Sequence, residues 1–120
     1  MSILLVTPRA PELAAFAQAL GQGCGLSVSL AATWAEALAA VRAAPPTFAV
    51  LDQGLAAGEP LALATKLVMV NAMVNLAVVS SLGAEEFHEA SEGLGILAPV
   101  PENPAAADGA ALAEVFCRFL

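Results

Sequence analysis

The sequence predicts an α/β fold, a five-stranded parallel sheet with helices on both faces. Three observations predict it. Short apolar runs alternate with segments patterned at helical spacing along the whole chain. Two of those runs, Phe48 to Leu51 and Leu76 to Val79, are apolar throughout, as strands buried on both faces are. The 120 residues suit one domain with one core, residues 1–120, and show no internal repeat and no linker.

Each element has its own local signal. Ile3 to Val6 is the first strand, stopped by Thr7-Pro8. Residues 10–20 follow as a helix with Leu13, Phe16, Ala17 and Leu20 on one face, ended by Gly21, Gly23 and Gly25. Leu26 to Leu30 alternates strictly with serines, the pattern of a half-buried edge strand. Thr33 and Glu36 form a capping box for the second helix, which Pro45-Pro46 stops.

The third strand is Phe48 to Leu51, and a glycine-bounded loop at 54–58 follows it. Glu59-Pro60 opens a helix running to about Ala72. Leu76 to Val79 is the fourth strand, ended by Ser80-Ser81. A short helix spans Glu85 to Glu92, with Gly93 and Gly95 breaking it before a fifth strand at Ile96 to Ala98. Residues 105–119 form the last helix, carrying Leu112, Val115, Phe116 and Phe119. Strands alternating with helices require right-handed crossovers, and the flavodoxin-like order 2-1-3-4-5 satisfies them with the polar-alternating second strand at an edge.

Composition excludes several function classes. The formal net charge is -7, and the four basic residues Arg9, Arg42, Lys66 and Arg118 are scattered, so no nucleic-acid surface is expected. No run approaches the roughly 18 apolar residues of a membrane span, and the start has no basic n-region, so a cytoplasmic protein is expected. Cys24 and Cys117 lack metal-ligand spacing and read as free thiols. His88 lies among Glu85, Glu86, Glu89 and Glu92, a solvated acidic face with no nucleophile beside it. No glycine-rich phosphate loop is present. Trp34, at the start of the second helix, reads as packing.

Asp52 is the residue that points to function. It ends the third strand, and open α/β sheets place functional groups at the carboxyl ends of their strands. With Asp52 in that place, Ser80 ending the fourth strand and the Gly93 segment leading into the fifth, the chain resembles the receiver domains of two-component response regulators, the CheY-like superfamily. The resemblance covers nearly the whole length. It implies that Asp52 stands at the phosphoacceptor position and Ser80 at its hydroxyl partner.

Other positions depart from that family. Thr7 and Pro8 stand where it carries an acidic pair that holds Mg²⁺. Val100-Pro101 replaces its Lys-Pro, and Leu97 replaces the aromatic switch residue. Phosphoryl transfer depends on positioning and on neutralising charge, and Mg²⁺ needs several oxygen ligands. The expectation is therefore a degenerate site with no catalytic residue, no metal and no cofactor. Its remnant pocket is Thr7, Pro8, Ser80 and Val100 around Asp52. Arg9 follows the first strand closely enough to approach Asp52. Asp52 itself either caps a loop amide or anchors a polar pocket with Ser80. A cobalamin-binding domain of the same topology would need histidine at position 54, where Gly54 stands.

The stretch 67–79 carries no charge. Leu67, Val68, Met69, Val70, Met73 and Val74 would cover more than one face of the third helix. An apolar surplus in so small a domain calls for cover by another chain. Leu67, Val70, Met73 and Val74 are thus expected at an interface.

The expected function is an atypical (pseudo-)receiver in signal transduction that acts by protein–protein contact, without normal phosphoryl-transfer chemistry. Its expected partners are a histidine kinase, another regulator of a phosphorelay, or a second copy as a homodimer. Two alternatives stand beside it. One keeps phosphorylation at Asp52 with Mg²⁺ held by atypical ligands. The other is a small-molecule sensor at the edge formed by Thr7, Asp52, Ser80 and Pro99.

Overall fold

In the computed structural model, which describes residues 2–82, 84–92 and 96–120, strand β3 (Phe48–Leu51) lies at the middle of a five-stranded sheet. Its neighbours are β1 (Ser2–Val6) and β4 (Asn75–Val79), and the edges are β2 (Ser27–Ala31) and β5 (Ile96–Val100). All pairings are parallel, in the order 2-1-3-4-5. The helices are α1 (Ala14–Cys24), α2 (Trp34–Ala43), α3 (Pro60–Val70), α4 (Ala84–Ser91) and α5 (Ala106–Cys117).

The two-residue period of the strands divides the core into two layers. Leu4, Val6, Ala49, Leu51, Leu76 and Val78 face α2 and α3, meeting Val41, Leu63 and Leu67. Ile3, Leu5, Phe48, Val50, Ala77 and Val79 face α1 and α5, meeting Phe16, Leu20, Leu112 and Phe116. Phe48 and Phe116 stack with ring centroids 4.1 Å apart and planes 7° from parallel. Trp34 packs part-buried on the first layer. The capping box stands at the start of α2: Thr33 Oγ1 accepts from the Glu36 N–H at 3.1 Å and Glu36 Oε2 from the Thr33 N–H at 3.2 Å.

Several boundaries differ from the sequence expectation, each for a local reason. Helix α1 does not end at Gly21 but continues through Gly23 to Cys24, and Gly25 takes the left-handed cap at φ 67°. The internal glycines serve packing instead. A Cβ on Gly23 would stand 2.5 Å from the Ala113 Cβ, and one on Gly109 would collide with the Phe16 backbone oxygen. Alanine there would hold α1 and α5 apart.

The second strand is displaced by one residue, to Ser27–Ala31. Leu30 is left 59% exposed, at one end of a groove of about 430 Å³ floored by Ala10, Ala14 and Ala17. Strand β5 extends to Val100, past the expected Ala98, and accommodates Pro99 because it is an edge strand. The expected helix breakers Gly93 and Gly95 lie outside the described residues. No cis peptide occurs among the described residues, so Val100-Pro101 is trans. No described helix is long and apolar enough to cross a membrane.

The apolar stretch after Lys66 corrects the expected interface. Helix α3 stops at Val70, not Ala72, because the Asn71 side chain accepts the Met73 N–H at 2.9 Å and turns the chain. Leu67 and Val74 are buried in the core and cannot belong to an exposed contact face. What remains at the surface is Met69 at 83% exposure, Met73 at 85% and, less exposed, Val70.

Candidate functional site

Strand register builds the site. Val6 pairs with Leu51 in the β1–β3 ladder, so the next residues, Thr7 and Asp52, emerge side by side at the carboxyl edge of the sheet. The Asp52 N–H donates to the Val6 oxygen at 2.9 Å and the Thr7 N–H to the Ala31 oxygen at 2.9 Å, which fixes both backbones. Asp52 is 0% exposed and Thr7 is 1% exposed. Among the described residues they are the two buried polar ones in an otherwise apolar interior.

A buried carboxylate needs partners, and Asp52 has them on both oxygens. Thr7 Oγ1 donates to Oδ2 at 2.7 Å, and the Gln53 N–H donates to Oδ1 at 2.8 Å. Thr7 Oγ1 also accepts the Arg9 N–H at 3.0 Å, which turns the chain after Pro8 back over the sheet edge. That turn delivers the Arg9 guanidinium onto Asp52, with Nε 2.8 Å from Oδ2 and Nη2 3.0 Å from Oδ1. Such a two-pronged pair uses the planar fork that only arginine presents. Arg9 also reaches the loop after β5, donating to the Glu102 backbone oxygen and, more weakly, to Asn103 Oδ1 at 3.5 Å. The hydrogen bond to Asp52 is the largest cause raising the Arg9 pKa above its ordinary value; the charges of Asp52, Glu12 and Glu102 add to it, against the opposing cost of burial.

The other residues singled out in the sequence do not gather around Asp52. Ser80 directly follows β4, but its Oγ accepts the Leu82 N–H at 3.1 Å. It faces a hollow of about 280 Å³ lined with Gln53, Glu59 and Pro60, to which Thr7 and Asp52 do not contribute. Pro8 is exposed and borders a different hollow, with Trp34 and Leu55. Val100 is buried in the α1/α5 core layer, and Leu97 packs part-buried on the same layer. Pro99 is exposed on β5.

Arg9 is the residue at Asp52 whose placement the sequence left open. Its signal was its place just past the end of β1, within reach of the end of the adjacent β3.

The donor set is ill-suited to Mg²⁺. That ion requires near-octahedral oxygen ligation, usually with carboxylates. Here a threonine hydroxyl and a proline stand where the resemblance places acids, and each Asp52 oxygen already accepts two hydrogen bonds. A guanidinium in contact with the carboxylate would repel a divalent cation placed beside it.

The sequence matches no protein-family model and no curated protein. Solved structures do match. A CheY-like response regulator receiver domain protein from Methanospirillum hungatei JF-1 superposes with TM-score 0.78 at 22% identity, covering 98% of this chain and 94% of that one. The receiver domain of NtrX from Brucella abortus superposes with TM-score 0.78 at 21% identity, covering 99% and 100%. The chain has the receiver fold. The chemotaxis response regulator CheY4 of Vibrio cholerae shares that fold as well, with TM-score 0.77 at 16% identity, covering 95% and 97%. At the carboxyl end of the third strand of that fold this chain carries Asp52, clasped by Arg9.

Proposed function

We propose that this protein is a pseudo-receiver: a signalling module that works by protein–protein contact and does not carry out the usual aspartyl phosphorylation. One observation carries the reading. The Arg9 guanidinium covers both oxygens of the acceptor-position carboxylate, at 2.8 and 3.0 Å. An incoming phosphoryl donor would meet a carboxylate that is buried, paired and hydrogen-bonded on every side. Charge neutralisation, which receiver chemistry draws from Mg²⁺ and lysine, is here used to hold the aspartate still.

The module's partners, on this reading, are a histidine kinase, another regulator, or a second copy of the chain. The exposed Met69, Val70 and Met73 at the end of α3 support contact with another protein, since methionine-rich apolar surfaces adapt to partners. Co-purification from the source cells tests the reading. A histidine kinase or regulator retained equally by the wild type and by Asp52→Asn is the expected result. Retention lost in Asp52→Asn, or no signalling protein retained, would overturn it.

A further inference from the structure

At the end of the molecule opposite Asp52, the carboxyl ends of α1 and α5 bring the two cysteines of the chain together. Cys24 Sγ donates to the Ala113 backbone oxygen at 3.8 Å, and Cys117 Sγ donates to the Gly23 backbone oxygen at 3.6 Å. Each thiol therefore reaches the backbone that carries the other. Ala113 lies one turn before Cys117 on the same face of α5, and Gly23 adjoins Cys24. The missing Cβ of Gly23, directly over the Ala113 Cβ, is what lets the helices approach so closely here.

We propose that Cys24 and Cys117 form an intramolecular disulfide under oxidising conditions, locking α1 to α5. Short separation between the two backbones is what disulfide geometry demands. The accessibility of the two thiols sets the order of events. Cys117 is exposed and Cys24 is half-buried. Burial, with the neighbouring Cys117, pushes the Cys24 thiol up to about 11.

Cys117 is thus the first to react. With a low-molecular-weight disulfide as oxidant, the Cys117 thiolate attacks one sulfur and releases one thiolate, leaving a mixed disulfide. Cys24 then loses its proton to solvent and attacks the Cys117 sulfur, releasing the second small thiolate. Two protein thiols are oxidised and one small disulfide is reduced to two thiols. The reaction is reversed by excess dithiol.

Glutathione disulfide is the probe. Trypsin cuts after Arg9, Arg42, Lys66 and Arg118, which places Cys24 on peptide 10–42 and Cys117 on peptide 67–118. Treated monomer is expected to yield these two peptides joined, with an intact mass lower by two hydrogens, and Cys117→Ser or Cys24→Ser is expected to abolish the link. Oxidation is also expected to raise Tm by about 5–10 °C, reversibly with dithiothreitol, because the bond closes a loop of most of the chain. Glutathione stopping as a mixed disulfide on Cys117, cross-links only between two molecules, or a Tm unchanged or lowered by oxidation would overturn the proposal.

Discussion

Arg9 and Asp52, 43 residues apart, meet in a two-pronged ion pair with Nε 2.8 Å from Oδ2 and Nη2 3.0 Å from Oδ1. The carboxylate is fully buried and the guanidinium is partly open to solvent. Removing Arg9 would leave a buried charge held only by the Thr7 hydroxyl and the Gln53 N–H. Arg9→Ala is therefore expected to destabilise the fold by about 2 kcal/mol, below the 3–5 kcal/mol of a wholly buried pair because water can reach Arg9's site. Arg9→Lys recovers only part, since an ammonium is a point charge without the fork. Urea unfolding of both variants checks this; a loss under about 0.5 kcal/mol for Arg9→Ala would contradict it.

The pH dependence of stability separates two groups. Arg9 has a raised pKa, so its contribution is fully present below the ordinary arginine range and is lost only as pH rises above it, which keeps the ion pair's cation constant over the working range. Cys24 is raised from 9.0 to about 11. The folded state holds that proton more tightly than the unfolded chain does. Its contribution is complete below pH 9 and declines as pH rises from 9 to 11. Under reducing conditions, the urea midpoint of the wild type is expected to fall more across that window than that of Cys24→Ser. Equal declines would contradict the assignment.

Close approach of α1 and α5 rests on glycines. A Cβ at Gly109 would meet the Phe16 oxygen and stand 3.1 Å from the Leu20 nitrogen. Neither backbone can yield without separating the helices, so Gly109→Ala is expected to cost about 2–3 kcal/mol despite alanine's better helix propensity. A thermal melt equal to or above that of the wild type would contradict this.

The turn after α3 divides one apolar stretch into core and surface. Leu67→Ala, within the core, is expected to cost about 2–4 kcal/mol. Met69→Lys and Met73→Lys, both at exposed positions, are expected to change stability by less than about 0.5 kcal/mol. Denaturant titration of the three variants gives the comparison, and a costly Met73→Lys would return that residue to the core.

The fold was legible because its signals were periodic. The all-apolar strand β3, the apolar run Leu76 to Val79 of β4 and the capping box of Thr33 and Glu36 named their own structures. Asp52 was legible too, since strand ends in this topology converge on one edge. Gly21 and Gly23 misled, because glycine as a helix stop and glycine as a helix–helix contact look alike in one sequence. Leu67 and Val74 misled because Asn71 ends the helix through a side-chain turn that hydrophobicity does not report. The Arg9 clasp was not derivable from periodicity: it depends on the Thr7 hydroxyl accepting the Arg9 N–H and turning the chain back over the sheet.

The central claim is that Arg9 and Thr7 hold Asp52 as a structural carboxylate and not as an acceptor. Incubation of the intact protein with acetyl phosphate and Mg²⁺, read by intact-mass spectrometry, tests it most directly. The account predicts no phosphoryl adduct on the wild type. A gain of one phosphoryl group that disappears in Asp52→Asn would contradict it.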